Sequence, residues 1–140
     1  MAEYKYQAKI DELMTLGLEM PILHQPDEKS AFRFIFKDAP AKNHIPPYIS
    51  KPKRALCPGV TISGYALSCF ENRGRAEKEY RSLRSSHRNI HKSIGDSLSQ
   101  GIISASDGRI SDSNSKTHFD LYEYCECDLS KTFTFQSCLL

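Results

Sequence analysis

Apolar residues recur at two different periods along the chain of 140 residues, and these periods predict helices and strands. A first helix is predicted over residues 3–19, ended by Pro21, from apolar residues at helical spacing: Tyr6, Ile10, Leu13 and Met14. A second apolar stripe predicts a helix over 73–95, with Asn72 as its N-cap: Ala76, Tyr80, Leu83, His87, Ile90 and Ile94. Ser85, Ser86 and Asn89 weaken this helix, which allows a kink or two shorter helices.

Alternating apolar residues predict strands over 30–37, 60–70 and 117–129. Residues 102–110 are typical of a hairpin on an Asp-Gly turn, and 131–139 predict a last strand paired with 117–129. The prolines between 38 and 58 predict a long loop, of the kind that is functional or mobile. We therefore predict a single α+β domain, 1–140, with a mostly antiparallel sheet of about five strands and two helices packed on one face.

Composition places the chain among ordinary globular proteins. Hydrophobic residues make up 39% and charged residues 26% of the chain, and seven Tyr and seven Phe are available to anchor a core. No apolar run approaches the ~18–20 residues of a spanning helix, so we expect no membrane partner. Residues 1–6 are too polar for a signal peptide, and we expect a cytoplasmic protein.

The net charge of +2 conceals an uneven distribution of charge. Residues 72–95 have seven Lys and Arg against two Glu, whereas residues 96–140 have three basic residues against seven acidic ones. The basic segment yields the candidate binding residues: Arg75, Lys78, Arg81, Arg84, Arg88 and Lys92. The last four follow steps of three or four residues and predict one basic stripe along a continuous helix.

Three interpretations of the basic helix remain open. The stripe can be a solvated face that pairs with the acidic C-terminal strands. It can contact a nucleic-acid backbone, or it can dock on an acidic protein surface. The isoelectric point of 8.3 is modest, and the chain has no clear helix-turn-helix or aromatic RNA-binding signature, which disfavours nucleic acid.

The predicted strand 117–129 contains the candidate catalytic residues: His118, Asp120, Glu123 and Glu126. His118 and Asp120 lie two positions apart, so both side chains point to the same face, where a carboxylate can orient a general base. Glu123 falls on the predicted core face, where a carboxylate needs a partner or has a raised pKa. A structural salt bridge from the basic helix is the simpler explanation for Glu123.

The chain offers no motif for a metal or a cofactor. Its five cysteines include no Cys-x-x-Cys pair. Cys125 and Cys127 fall on one face of the predicted strand, and they are expected to be small buried hydrophobes rather than ligands of one metal ion. Phosphate-binding glycine motifs, His-Glu-x-x-His and Gly-x-Ser-x-Gly are all missing from the sequence. We therefore assign no cofactor.

These observations favour a small binding or accessory module that engages a larger protein or a nucleoprotein complex through the basic helix, about 73–92. The alternative is a small nuclease-like hydrolase that uses the His/Asp/Glu set of strand 117–129. A third reading is an antitoxin-like or inhibitor-like protein whose acidic strands imitate nucleic acid.

Overall fold

The computed structural model describes residues 3–140; Met1 and Ala2, the start of the predicted domain, lie outside the described residues. The α-helices are α1 (Gln7–Thr15), α2 (Pro47–Ser50), α3 (Arg73–Ser86) and α4 (Ile90–Ser93). The strands are β1 (Lys29–Ile35), β2 (Leu67–Phe70), β3 (Ser97–Ile103), β4 (Gly108–Ile110), β5 (His118–Glu123) and β6 (Thr134–Cys138). All neighbouring strands are antiparallel, in the order β4-β5-β2-β1-β3-β6. The predicted α+β class is thereby confirmed.

The sheet is strongly curled. β3 and β4 lie four places apart in the sheet, which is about 19 Å across a flat sheet. Only residues 104–107 connect them, and even a fully extended link from Ile103 to Gly108 spans at most about 17 Å. These four residues form a turn instead, so the two halves of the sheet must bend toward each other. Consistently, Ile103 and Ile110 belong to one apolar cluster.

The curl gives the sheet an inner face and an outer face. The inner face is filled by strand residues such as Leu67 and Phe119, and Leu129 and Phe133 from the C-terminal segment close it. On the outer face, α3 packs on Phe32, Phe70 and Leu98, while α1 packs around Tyr122 and Tyr65. Both helices thus cover the same face of the sheet, as predicted.

The strands differ from the sequence prediction in three places, two in their pairing and one in their extent. The hairpin predicted at 102–110 does not form, because β4 pairs with β5 rather than with β3. The last strand pairs with β3 and not with β5. The strand predicted at 60–70 is a strand only from Leu67, since Ile62–Tyr65 forms a 3₁₀ turn. The ring of Tyr48 lies directly against Gly64 there, leaving no room for a Cβ atom.

The predicted loop 38–58 is folded into three short helical turns. These turns are Pro40–Lys42, Pro47–Ser50 and Pro52–Leu56, each with a proline at its start, where the missing N–H costs nothing. Asn43 fastens the loop to β1 because its side chain accepts a hydrogen bond from the Phe36 amide at 2.7 Å. Pro46 is fully buried, so the loop is part of the packed structure.

None of the helices within residues 3–140 has the length and apolar character needed to span a membrane.

Candidate functional site

Helix α3 is anchored to the sheet by its apolar side and by its two ends. Asn72 caps its start, as predicted, by accepting a hydrogen bond from the Arg75 amide at 3.0 Å. Ala76 and Tyr80 are fully buried, and the Tyr80 hydroxyl donates a 2.7 Å hydrogen bond to the Gly95 carbonyl. The opposite side of the helix, which includes Lys78, Arg81 and Arg84, is thereby directed to solvent.

The continuous basic stripe predicted over 73–92 is interrupted. α3 ends at Ser86 because His87 is extended, and α4 begins separately at Ile90. Arg88 therefore lies in the connecting turn and Lys92 on the second helix, so these two do not continue the helical row of Arg81 and Arg84. The two shorter helices that the serines and Asn89 allowed are the observed arrangement.

The predicted basic residues are nevertheless accessible. Five are exposed, and none of the five forms an ion pair among residues 3–140: Lys78, Arg81, Arg84, Arg88 and Lys92. Arg75 is half-buried and donates a long hydrogen bond of 3.4 Å to the Ser115 carbonyl. With Lys78, Ser82 and Lys116 it lines a shallow cavity of about 200 Å³ on the helix surface. The surface formed by Arg75 and the five exposed residues named above is called the basic surface below.

The acidic C-terminal strands do not neutralise the basic surface. Six of the seven carboxylates in 96–140 find their partners elsewhere: Asp96, Asp107, Asp112, Asp120, Glu123 and Asp128. The seventh, Glu126, is exposed and makes no hydrogen bond within the described chain. One ion pair does join this region to α3, but here the helix supplies the carboxylate and the C-terminal region the cation. Lys116 Nζ lies 3.5 Å from Glu79 Oε2.

His118 and Asp120 share one face of β5, as predicted, and they meet Ser68 of the neighbouring strand. The His118 Nε2 atom is hydrogen-bonded to the Ser68 hydroxyl, and Asp120 Oδ1 lies 3.8 Å from the same nitrogen. Burial raises the pKa of the Asp120 carboxyl, and the nearby His118 opposes that shift. In a nucleophilic triad the carboxylate holds the other ring nitrogen, Nδ1, so this arrangement does not orient His118 as a base for Ser68.

Glu123 and Glu126 do not join His118 and Asp120. Glu123 lies on the inner face and is 4% exposed, which confirms the predicted buried carboxylate. Its partner is Lys5 at 2.9 Å rather than a residue of the basic helix. Glu126 follows the end of β5 in a turn. Burial raises the pKa of Glu123, and the hydrogen bond from Lys5 opposes this.

No trio of His, Cys, Asp or Glu side chains between residues 3 and 140 is arranged to hold a metal ion. Cys125 and Cys127, which the alternation of a strand would have placed on one face, lie beyond β5. The expected burial is confirmed for Cys127, which lies in the inner core, and is wrong for Cys125, which is exposed.

Arg33 is the residue that the sequence interpretation passed over. It occupies β1 between Ala31 and Ile35, is 8% exposed, and lines a cavity of about 340 Å³ together with Ser68 and His118. A basic residue between two apolar positions of one strand face is the same signal that singled out Glu123. The sequence pattern places Arg33 on one strand face with Ala31, Ile35 and Lys37, and Arg33 was not among the predicted site residues.

Comparison of the chain with models of protein families, with curated proteins and with solved structures gives no match.

Proposed function

We propose that this protein is a binding module that engages an acidic surface of a larger protein or nucleoprotein complex through the basic surface. The observation that carries the proposal is that five exposed cations lack an internal ion pair while the acidic strands pair elsewhere. Neighbouring like charges repel one another. A cluster of cations without paired carboxylates therefore raises the free energy of the protein when no partner is bound. A partner with carboxylates or phosphates relieves that repulsion.

The chemistry of the basic surface favours a charged contact over an apolar one. The exposed large apolar residues of 3–140 include none on α3 or α4. Exposed aromatic rings, which stack on the bases of single strands, are missing there as well. An acidic protein surface, recognised by electrostatic complementarity, needs neither feature. This favours the protein partner over the nucleic acid.

The test is charge reversal on the helix with a matched control. The variant Arg81→Glu/Arg84→Glu/Arg88→Glu changes the net charge by the same amount as Lys9→Glu/Lys53→Glu/Lys131→Glu, whose exposed lysines lie on other elements. Partners captured from the native host by the wild type and by the control, but lost with the helix variant, support the proposal. Far-UV circular dichroism verifies that all three proteins are folded. Equal capture by all three proteins would refute it.

A second measurement separates the classes of partner. Fluorescence anisotropy with labelled single-stranded RNA, duplex DNA and an acidic peptide is recorded at low and at moderate salt. Contact with three phosphates gives an affinity that falls with a log–log slope in salt concentration of about −2.7 for duplex DNA and about −2.1 for single-stranded RNA. Such a slope, lost in the helix variant, would assign the basic surface to nucleic acid instead of protein.

A further inference from the structure

The sheet opens between its two central strands. β1 pairs with β3 at seven positions, but with β2 only at Phe32 and Phe70. Beyond this pair, β1 remains paired with β3, and β2 remains paired with β5. β1 and β2 therefore diverge from each other. The loop residues Ile45, Pro47 and Ser50 lie beside the opening and border, with the strands and α3, a half-open cavity of about 340 Å³. This volume lies at the lower end of the range of about 300–1,000 Å³ for small-molecule sites.

The side chain of Arg33 occupies the opening. Its Nη1 donates to the carbonyl of Ser68, and its Nε donates to His44 Nδ1 at 3.0 Å. Both partners are uncharged, since burial and then the Arg33 charge lower the pKa of His44 to about 3. Arg33 forms no ion pair in the part of the chain that the structure describes, and its Nη2 donates to no protein atom there.

A guanidinium that is 8% exposed and has no carboxylate in contact is costly, because it has lost most of its water and gained only the more distant charge of Glu123. Such a group is prepared for an anion, since most of its desolvation has already taken place during folding. The hydrogen-bonded pair of Ser68 and His118 on the cavity wall keeps one further proton to donate, and the exposed Lys51 and Arg54 add positive charge. One carboxylate, Glu79, also lines the cavity, but it is paired with Lys116.

The remaining walls are apolar and include side chains from the sheet, the loop and the helices: Phe34, Phe70, Leu67, Ile45, Leu83 and Ile94. A ligand that fits this cavity therefore has an apolar body as well as a charged group. Three cations and one neutral donor match a dianionic phosphate better than a single carboxylate.

We propose that this cavity binds a small phosphate monoester with an apolar body, with Arg33 as the buried contact to the phosphate and Arg54 as an outer one. This site is separate from the basic surface and does not depend on the proposed function. The helix variant with three reversed charges is therefore expected to bind such a ligand like the wild type.

The test uses phenyl phosphate as the probe and isothermal titration calorimetry as the readout. We expect the wild type to bind it and Arg33→Met to lose at least tenfold in affinity. Arg54→Gln is expected to lose severalfold. Lys53→Gln, an exposed neighbour that does not line the cavity, is expected to match the wild type. The Arg54 and Lys53 variants keep the test decisive if Arg33→Met does not fold.

Three results would overturn the proposal. The first is that phenyl phosphate at millimolar concentration gives no heat with the folded wild type. The second is that benzyl alcohol binds as well as phenyl phosphate, which would make the site merely apolar. The third is that benzoate binds as well, which would assign the cavity to carboxylates. Inorganic phosphate is expected to bind more weakly than phenyl phosphate, because it leaves the apolar walls empty.

Discussion

His44 is expected to make the stability of the protein depend on pH. Its ring accepts a hydrogen bond from Arg33 Nε through Nδ1, lies 5.0 Å from the ring of Phe133, and has a pKa lowered to about 3 by burial and by the Arg33 charge. The unfolded chain binds a proton at this histidine below about pH 6.5, whereas the folded protein does not. Stability from His44 is therefore present above pH 6.5 and is lost as the pH falls.

The size of the effect follows from the two pKa values. At pH 5 nearly all unfolded molecules have a protonated His44, which stabilises the unfolded state by about 2 kcal/mol relative to pH 8. The figure depends only on the unfolded pKa, because any folded pKa below about 4 leaves His44 neutral at pH 5. Between pH 8 and pH 5 few carboxylates change their charge, so the histidine contribution stands out.

The perturbation is His44→Asn. Asparagine places an acceptor oxygen where the histidine has Nδ1 and is tolerated at the left-handed backbone of this position, φ +59°. Urea unfolding followed by far-UV circular dichroism, at pH 8 and pH 5, yields the free energy of unfolding. We expect the wild type to lose about 2 kcal/mol more than the variant between the two values.

The matched control is His87→Asn, since His87 is exposed and its side chain makes no hydrogen bond within residues 3–140. This control is expected to keep the pH dependence of the wild type. An equal loss of stability in His44→Asn and the wild type would refute the reasoning, and with it the assignment of a neutral acceptor beside Arg33.

Two other features of the fold give predictions of their own. Gly95 has φ +123°, and a Cβ atom there would lie 2.4 Å from the Ile35 carbonyl oxygen, so Gly95→Ala is expected to lose about 2 kcal/mol or more in urea unfolding. Gly74→Ala, on the exposed side of α3, is the control, because an added Cβ atom there meets a side-chain oxygen, Asn72 Oδ1 at 3.3 Å, instead of backbone. It should stay within about 1 kcal/mol of the wild type, and equal losses would contradict the steric argument. Burial raises the pKa of the Cys69 thiol to about 11 and that of Cys127 to about 12, while the other three cysteines are exposed. A thiol reagent should accordingly modify Cys57, Cys125 and Cys138 in the native protein and all five cysteines in denaturant, and rapid modification of five native thiols would show that the inner core is open.

The candidate residues were predictable to different degrees. The basic residues were found because charge and helical spacing are local properties of the chain, and the odd position of Glu123 within an apolar face was equally local. The partner of Glu123 was not predictable, because Lys5 is 118 positions away along the chain. Arg33 showed the same local signal but was not predicted as a site residue, since the sequence does not reveal that β1 lies in the middle of the sheet.

The sequence by itself determined the approximate places of the two longer helices and of most strands, because spacing, capping residues and prolines act within one segment. Asn72 capped α3 as predicted, and the serines near residue 85 marked the end of that helix. Only the tertiary structure decided which strands pair, since β-pairing depends on contacts between distant segments that a local period does not encode. The curl of the sheet, the opening between β1 and β2 and the buried, unpaired charge of Arg33 all arise at that level. The basic surface is visible in the sequence because its residues lie within one segment. The cavity is visible only in the structure, because its walls come from segments that are distant along the chain.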